Sequence, residues 1–161
     1  MQVLGEAFPV LLGVGPPHWD AAAVARMAEQ FEPYFAQGQR YTFLYVQPHE
    51  AANPGAHERK LLIDWADSPR VREFSRKLSV GTALVLPNAL LRGALTAMMW
   101  LWKPVSPIDP VDSVEAGLDQ CLARLAAAGV PLPRSASALR LEALELLKPL
   151  QGPGPKLRSN A

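Results

Sequence analysis

The segment GTALVLPNALLRGALTAMMWLW, residues 81–102, is the most apolar stretch of the chain, and its reading decides the fold. A membrane span needs about 20 apolar residues without a break. Pro87 and Asn88 interrupt this run, and Arg92 would cost about 2.5–3.5 kcal/mol at mid-bilayer. The unbroken piece from Gly93 to Trp102 is about 15 Å long as a helix, half a bilayer core. The expectation is therefore no membrane span. It is a buried strand from Thr82 to Leu86, a joint at Pro87-Asn88 and a packed helix from Ala89 to about Trp102. On that helix Leu91, Leu95, Met98 and Trp102 share one side, and Leu90, Ala94, Ala97 and Leu101 share the next. Together they make a full core face. Met99 and Trp100 fall outside it, near the side that carries Arg92 and Thr96. Met, Trp and Arg are types enriched at protein interfaces.

Toward the C-terminus, Pro104 stops the helix. Val105 to Ile108 leaves room for a short strand, which its flanking prolines push to a sheet edge. Asp112 with Glu115 reads as a capping pair for a helix from Val114 to Ala128, closed by Gly129. Its stripe is Leu118, Cys121, Leu122 and Leu125. A last amphipathic helix, Ser137 to Leu150, has Leu139, Ala143, Leu146 and Leu150 in one row, widened by Leu141, Leu144 and Leu147. That face must be covered, either by the same domain or by another chain. Residues 151–161, QGPGPKLRSNA, read as a disordered tail.

Toward the N-terminus, YTFLYV (41–46) is the clearest strand. It is apolar on both alternations, as strands covered on both faces are. FPVLLGV (8–14) is a second buried strand. Asp20 caps a helix whose face is Val24, Met27, Phe31 and Phe35, and Gly38 ends it. AHERKLLIDWA (56–66) and a helix opened by Ser68-Pro69 fill the gap before the strand at 82. The alternation predicts an α/β fold: a small mixed, largely parallel sheet of about four strands flanked by helices, with an additional C-terminal amphipathic helix. The expected division is an α/β domain over 1–130, a helical extension over 131–150 and the tail.

Length, charge and composition exclude several classes. The chain has 161 residues, a formal charge of +1 and 49% hydrophobic residues, enough for one ordinary core and too neutral for a nucleic-acid polyelectrolyte partner. The run MQVLGEAFPVLLGVG lacks a basic flank and is interrupted by Glu6 and Pro9, so it reads as a strand region of an unexported chain. A single cysteine, Cys121, forms no internal disulfide and suits a core position in a reducing compartment. His49-Glu50 and His57-Glu58 match no compact metal spacing. GVGPPHWD (13–20) has prolines where a phosphate loop needs amides. No nucleophile motif is present. Arg70, Arg72, Arg76 and Lys77 form a basic edge that would steer an acidic partner, although acidic residues are interspersed along the same segment.

The ordered features YTFLYV, a polar loop, GTALVLPNALLRGALTAMMWL with its strand–helix joint, a short strand and DSVEAGLDQCLARL resemble the SpoIIAA-like or STAS-like domains. These have the anti-sigma-factor antagonist fold, and the resemblance is to stand-alone bacterial versions, over roughly Phe8 to Gly129. It implies a small sheet flanked by helices, no catalysis of its own and action by docking onto another protein. The family's switch is a phosphorylatable Ser at the helix start after the central strand. Here Gln47 to His57 contains no Ser or Thr, so that switch does not carry over.

The leading expectation is a non-enzymatic regulatory or adaptor module of the bacterial cytoplasm, with no cofactor and no metal. It would bind a protein partner, or a second copy of itself, through Arg92, Thr96, Met99 and Trp100 and through Leu139, Leu146 and Leu150 of the last helix. The alternative is a small-molecule or lipid-binding domain with an apolar pocket lined by Phe43, Trp65, Met98 and Trp102. A third reading is an enzyme built on the His49/Glu50/His57/Glu58 loop.

Overall fold

The structure is a computed structural model. It describes residues 1–48, 55–86, 88–101 and 103–150, with the side chains of Leu91, Ala94, Ala97, Met98, Trp100, Leu101 and Leu150 left aside. The elements run β1 (Gln2–Leu4), β2 (Val10–Val14), α1 (Ala21–Gln37), β3 (Tyr41–Val46), α2 (Ala56–Ala66) and α3 (Pro69–Leu78). They continue with β4 (Ser79–Val85), α4 (Ala89–Leu101), β5 (Ile108–Val111), α5 (Val114–Ala127) and α6 (Ala136–Leu147), which tightens into a 3₁₀ turn at Lys148–Leu150. The five strands form one sheet in chain order, with β2 to β5 parallel and β1 antiparallel at the edge. This is the expected mixed α/β sheet with one strand more. The extra strand is β1, whose three residues are too few to show a hydrophobic period.

A sequential parallel order with right-handed crossovers puts the connecting helices on one face. The residue alternation along the strands divides accordingly. Val10, Leu12, Val14, Leu44, Val46, Ala83 and Val85 pack with Leu118, Cys121 and Leu125 of α5 and with Ala143 and Leu147 of α6. Leu11, Tyr41, Phe43 and Tyr45 pack with α1, α2 and α3, through residues such as Phe31, Phe35, Trp65 and Val71. One face of the sheet is thus aliphatic and the other aromatic.

Helix ends follow local chemistry. Asp20 caps α1, its Oδ1 accepting from the Ala23 N–H at 2.6 Å, and Gly38 ends it at φ 65°, a conformation that costs glycine little. Gly129 follows α5 with the same φ. One expected cap moves by a residue and another keeps its place without a side-chain bond. Ser113, not Asp112, caps α5, because its hydroxyl reaches the Ala116 N–H at 3.3 Å. Ser68 is the N-cap of α3 with Pro69 after it, as expected, but its hydroxyl donates back to the Trp65 carbonyl at 2.7 Å instead of accepting from α3. The last strand lies at Ile108–Val111 rather than 105–108, where it pairs with Thr82 to Val85.

The two sheet edges are closed. The outer Val3 N–H of β1 donates to Gln30 Oε1 at 2.6 Å, and Gln30 Nε2 donates to the Met1 carbonyl at 2.9 Å. On the far edge, β5 carries Pro110, which has no N–H. Among the described residues, no helix is long and apolar enough to cross a membrane.

Candidate functional site

Helix α4 begins just past the carboxyl end of β4. Asn88 opens it, accepting from the Leu90 N–H at 2.8 Å through its side chain and from the Arg92 N–H at 3.1 Å through its carbonyl. Of the two faces expected in the core, only Leu90 and Leu95 have described side chains. Leu90, placed on the core side by periodicity, is 82% exposed. Met99, placed on the outer side, is half-buried, as is Leu95. The reason is position. Among the described contacts, α4 rests chiefly against the edge strand β5 rather than the centre of the sheet. None of its described side chains belongs to either core cluster.

Two of the expected interface residues make hydrogen bonds at or beside their own helix. The Arg92 guanidinium donates to the Leu86 carbonyl at 2.6 Å, which ties α4 to the end of β4. The exposed Thr96 donates its hydroxyl to the Arg92 carbonyl at 2.9 Å, an i−4 contact within the helix. The Trp100 side chain lies outside the described residues, as do those of Met98 and Leu150.

Helix α6 packs on its own domain. Ala143 and Leu147 are fully buried in the aliphatic core, and Leu139 is 1% exposed. Leu139 is therefore a core residue and not an interface residue, and Leu146 is partly covered by the same cluster. Residues 131–150 share the core of the α/β domain rather than extending from it. Polar contacts fix the arrangement: Arg140 pairs with Asp119 of α5 at 2.9 Å, and Arg134 pairs with Glu142 at 3.0 Å while donating to the Glu6 carbonyl. Leu141 is the apolar side chain α6 leaves in solvent, at 64% exposure.

The basic edge is largely balanced. Arg70 pairs with Glu32, Arg72 with Asp67 at 2.8 Å, and Lys77 with Glu73 at 2.6 Å. Lys77, then Arg76, hold the Glu73 carboxyl below its usual range. Arg76 is exposed, but its field is offset by that same carboxylate. A steering patch needs unbalanced charge, and this edge has little. A more protected polar group lies elsewhere: Asp109 of β5 accepts from Arg124 Nε at 2.7 Å and from Gln120 at 3.3 Å.

Between the sheet and α1, α2 and α3 lies a cavity of about 190 Å³. Its walls are aromatic. The Phe31 ring meets Phe43 edge-on at 5.2 Å and Trp65 at 5.5 Å, and stacks on Phe35 at 5.8 Å. Gly13 of β2 makes room for the Phe43 ring, which a Cβ there would strike. Phe43 and Trp65 were expected in such a pocket. Met98 and Trp102 fall outside the described side chains. Tyr41, Thr82 and Ser75 also line it, and periodicity gave no sign of them because they come from three different elements. Tyr41 is 4% exposed, and burial pushes its phenol up to about 12. Among the described residues, the charged ones at the cavity are Asp67 and Arg72, paired with each other. A second, more open groove of about 530 Å³ lies at the amino ends of β2 and β3, lined by Phe8, Pro9, Arg40 and the 129–133 turn.

Among the described residues, no three His, Cys, Asp or Glu converge on a point. His57 and Glu58 stand in the first turn of α2, while His49 and Glu50 lie outside the described residues. Cys121 is buried, and desolvation pushes its thiol up to about 11, the wrong direction for a nucleophile.

Comparison of this chain with family models, curated proteins and solved structures returned no match.

Proposed function

We propose that this chain is a non-enzymatic regulatory or adaptor module of the bacterial cytoplasm that works by binding another protein, with the outer side of α4 as the contact surface. The observation that carries this is the position of α4: a strongly apolar helix of 13 residues with Leu90 and Thr96 exposed, Met99 half-covered and no described side chain in a core cluster. Isolated exposed leucines are ordinary. An apolar helix resting against an edge strand is less so, and it offers the aliphatic and Met surface that interface centres use. The STAS-like resemblance supports the same reading, since a small sheet flanked by helices is the architecture it implies and docking is what it implies such domains do. Arg92 is engaged with the Leu86 carbonyl, so the exposed Leu90 and Thr96 carry the surface.

The test is reconstitution with the recovered partner. The tagged chain captures its partner from bacterial lysate, and the purified pair is titrated by calorimetry. Leu90→Asp combined with Thr96→Asp is expected to weaken the pair at least about tenfold, while Leu141→Asp on α6 leaves it unchanged. Full affinity in the α4 variant, with unchanged circular dichroism, would sink the reading. So would a failure to recover any specific partner.

A further inference from the structure

The open groove at the amino ends of β2 and β3 is lined by none of the α4 residues, and its walls and its charge differ in kind. We propose that it binds a small amphiphilic carboxylate, an alkyl chain ending in a single carboxylate group. Size admits such a molecule: the groove measures about 530 Å³, within the roughly 300–1,000 Å³ usual for small-ligand sites. The walls set the body. Phe8, Val130 and Leu132 are apolar, and Pro9, Pro131 and Pro133 have no N–H. The N–H groups of Phe8, Gly129 and Val130 already donate to the carbonyls of Gly5, Ala126 and Leu125, each at 3.0 Å. A peptide laid here would bring one carbonyl per residue to walls with few donors to meet it, whereas an alkyl chain needs none.

Arg40 sets the head group. Among the described residues it is the charged one lining the groove, and no acidic side chain stands with it. Its guanidinium donates to the Ala128 carbonyl at 3.0 Å, which holds it against the end of α5 and leaves further N–H groups of the fork for a ligand. Arg134, next to Pro133, is by contrast paired with Glu142 at 3.0 Å, while Arg40 has no ion-pair partner among the described residues. The end of α5 contributes about half a negative charge, less than the full positive charge of the guanidinium. One cation matches one negative charge, and its planar fork fits a carboxylate. A phosphate monoester, at about −1.5 to −2, would be left under-compensated.

The probes are octanoate, octylammonium, octyl phosphate and acetate, each below any micelle-forming concentration. Binding to the full chain is followed by calorimetry, and its location by the backbone amide resonances. Octanoate is expected to bind one-to-one and to shift Gly129 and Val130. Octylammonium, the same chain with the opposite charge, is expected to bind about three- to tenfold more weakly. Octyl phosphate is expected to bind no tighter than octanoate, and acetate, a head without a body, not measurably. Arg40→Gln is expected to erase the preference for octanoate over octylammonium, and Pro131→Asp, on the exposed wall, to reverse it. The proposal is overturned if octanoate does not bind, if octylammonium or octyl phosphate binds the wild-type chain more tightly than octanoate, or if acetate binds as well. It is also overturned if the shifts fall on the Trp65 indole rather than on Gly129 and Val130, or if Arg40→Gln keeps the full preference. Should either variant fail to fold, the ranking of the four probes on the wild-type chain decides the matter.

Discussion

The two faces of the sheet are built from different carbon skeletons, and they pack with different success. On the α5/α6 face, branched aliphatic chains interlock. Gly117 brings α5 so close that a Cβ there would lie 2.5 Å from Leu44 Cδ1, and Leu44, Leu118, Leu125 and Leu147 are at or below 1% exposure. On the α1/α2/α3 face, rigid rings meet one another at 5.2–5.8 Å and leave a cavity. A leucine swings its two methyl groups about two side-chain torsions to fill a gap, whereas a phenyl ring moves as a plate. Close packing on one side therefore serves as the rigid scaffold, and the looser side is where a small molecule has room.

That contrast can be broken or sharpened by measurement. The largest effect is expected where the packing is tightest. Leu118→Ala should cost about 3 kcal/mol or more by urea unfolding, because the closed aliphatic face cannot collapse around the loss. A cost under about 1 kcal/mol would show that this face is not the scaffold.

The next effect is an alkaline one, on the aromatic face. The Tyr41 phenol titrates near 10 when exposed and is pushed up to about 12 in the fold by burial. The unfolded chain therefore loses this proton first. Its contribution, about 2–3 kcal/mol, is whole below pH 10 and is lost as pH rises to 12. Tyr41→Phe should flatten that part of the stability profile. Cys121 on the other face titrates in both proteins and cancels in the difference. An unchanged slope in the variant would mean that Tyr41 is not protonated and buried as described.

The smallest effect is a paired one. Val85→Ile adds a methyl to the closed face, where Gly117 and Val111 already crowd, and should cost about 1 kcal/mol. Val71→Ile adds the same methyl beside the cavity and should be neutral or stabilising by up to about 0.8 kcal/mol. Equal penalties at the two sites would erase the distinction between the faces.

Much of this was legible in the residues. The strand YTFLYV, the Asp20 and Gly38 ends of α1 and the α/β class rest on short-range signals that survive folding intact. Where long-range pairing decides, the residues are silent. β1 is three residues long and exists because Gln2 to Leu4 find β2. Leu90 obeyed the helical period and still lies in solvent, because period says which side chains share a face and not whether anything covers it. In α6 the inner row is Leu139, Ala143 and Leu147, rather than the equally good Leu139, Ala143 and Leu146, a rotation set by the floor it lies on. The cavity was half visible, through Phe43 and Trp65. One of its polar members, Tyr41, reads as one more strand aromatic until the fold places it against α1 and α3.

The closure of the sheet at both ends reaches beyond the single molecule. With the Val3 amide held by Gln30 and Pro110 on the opposite rim, neither border presents the row of free amides that templates a neighbouring strand. Fibre-like stacking of native chains has no starting point there, even at high concentration. Encounters with other macromolecules are left to the helices, whose contacts are side-chain contacts and can be selective.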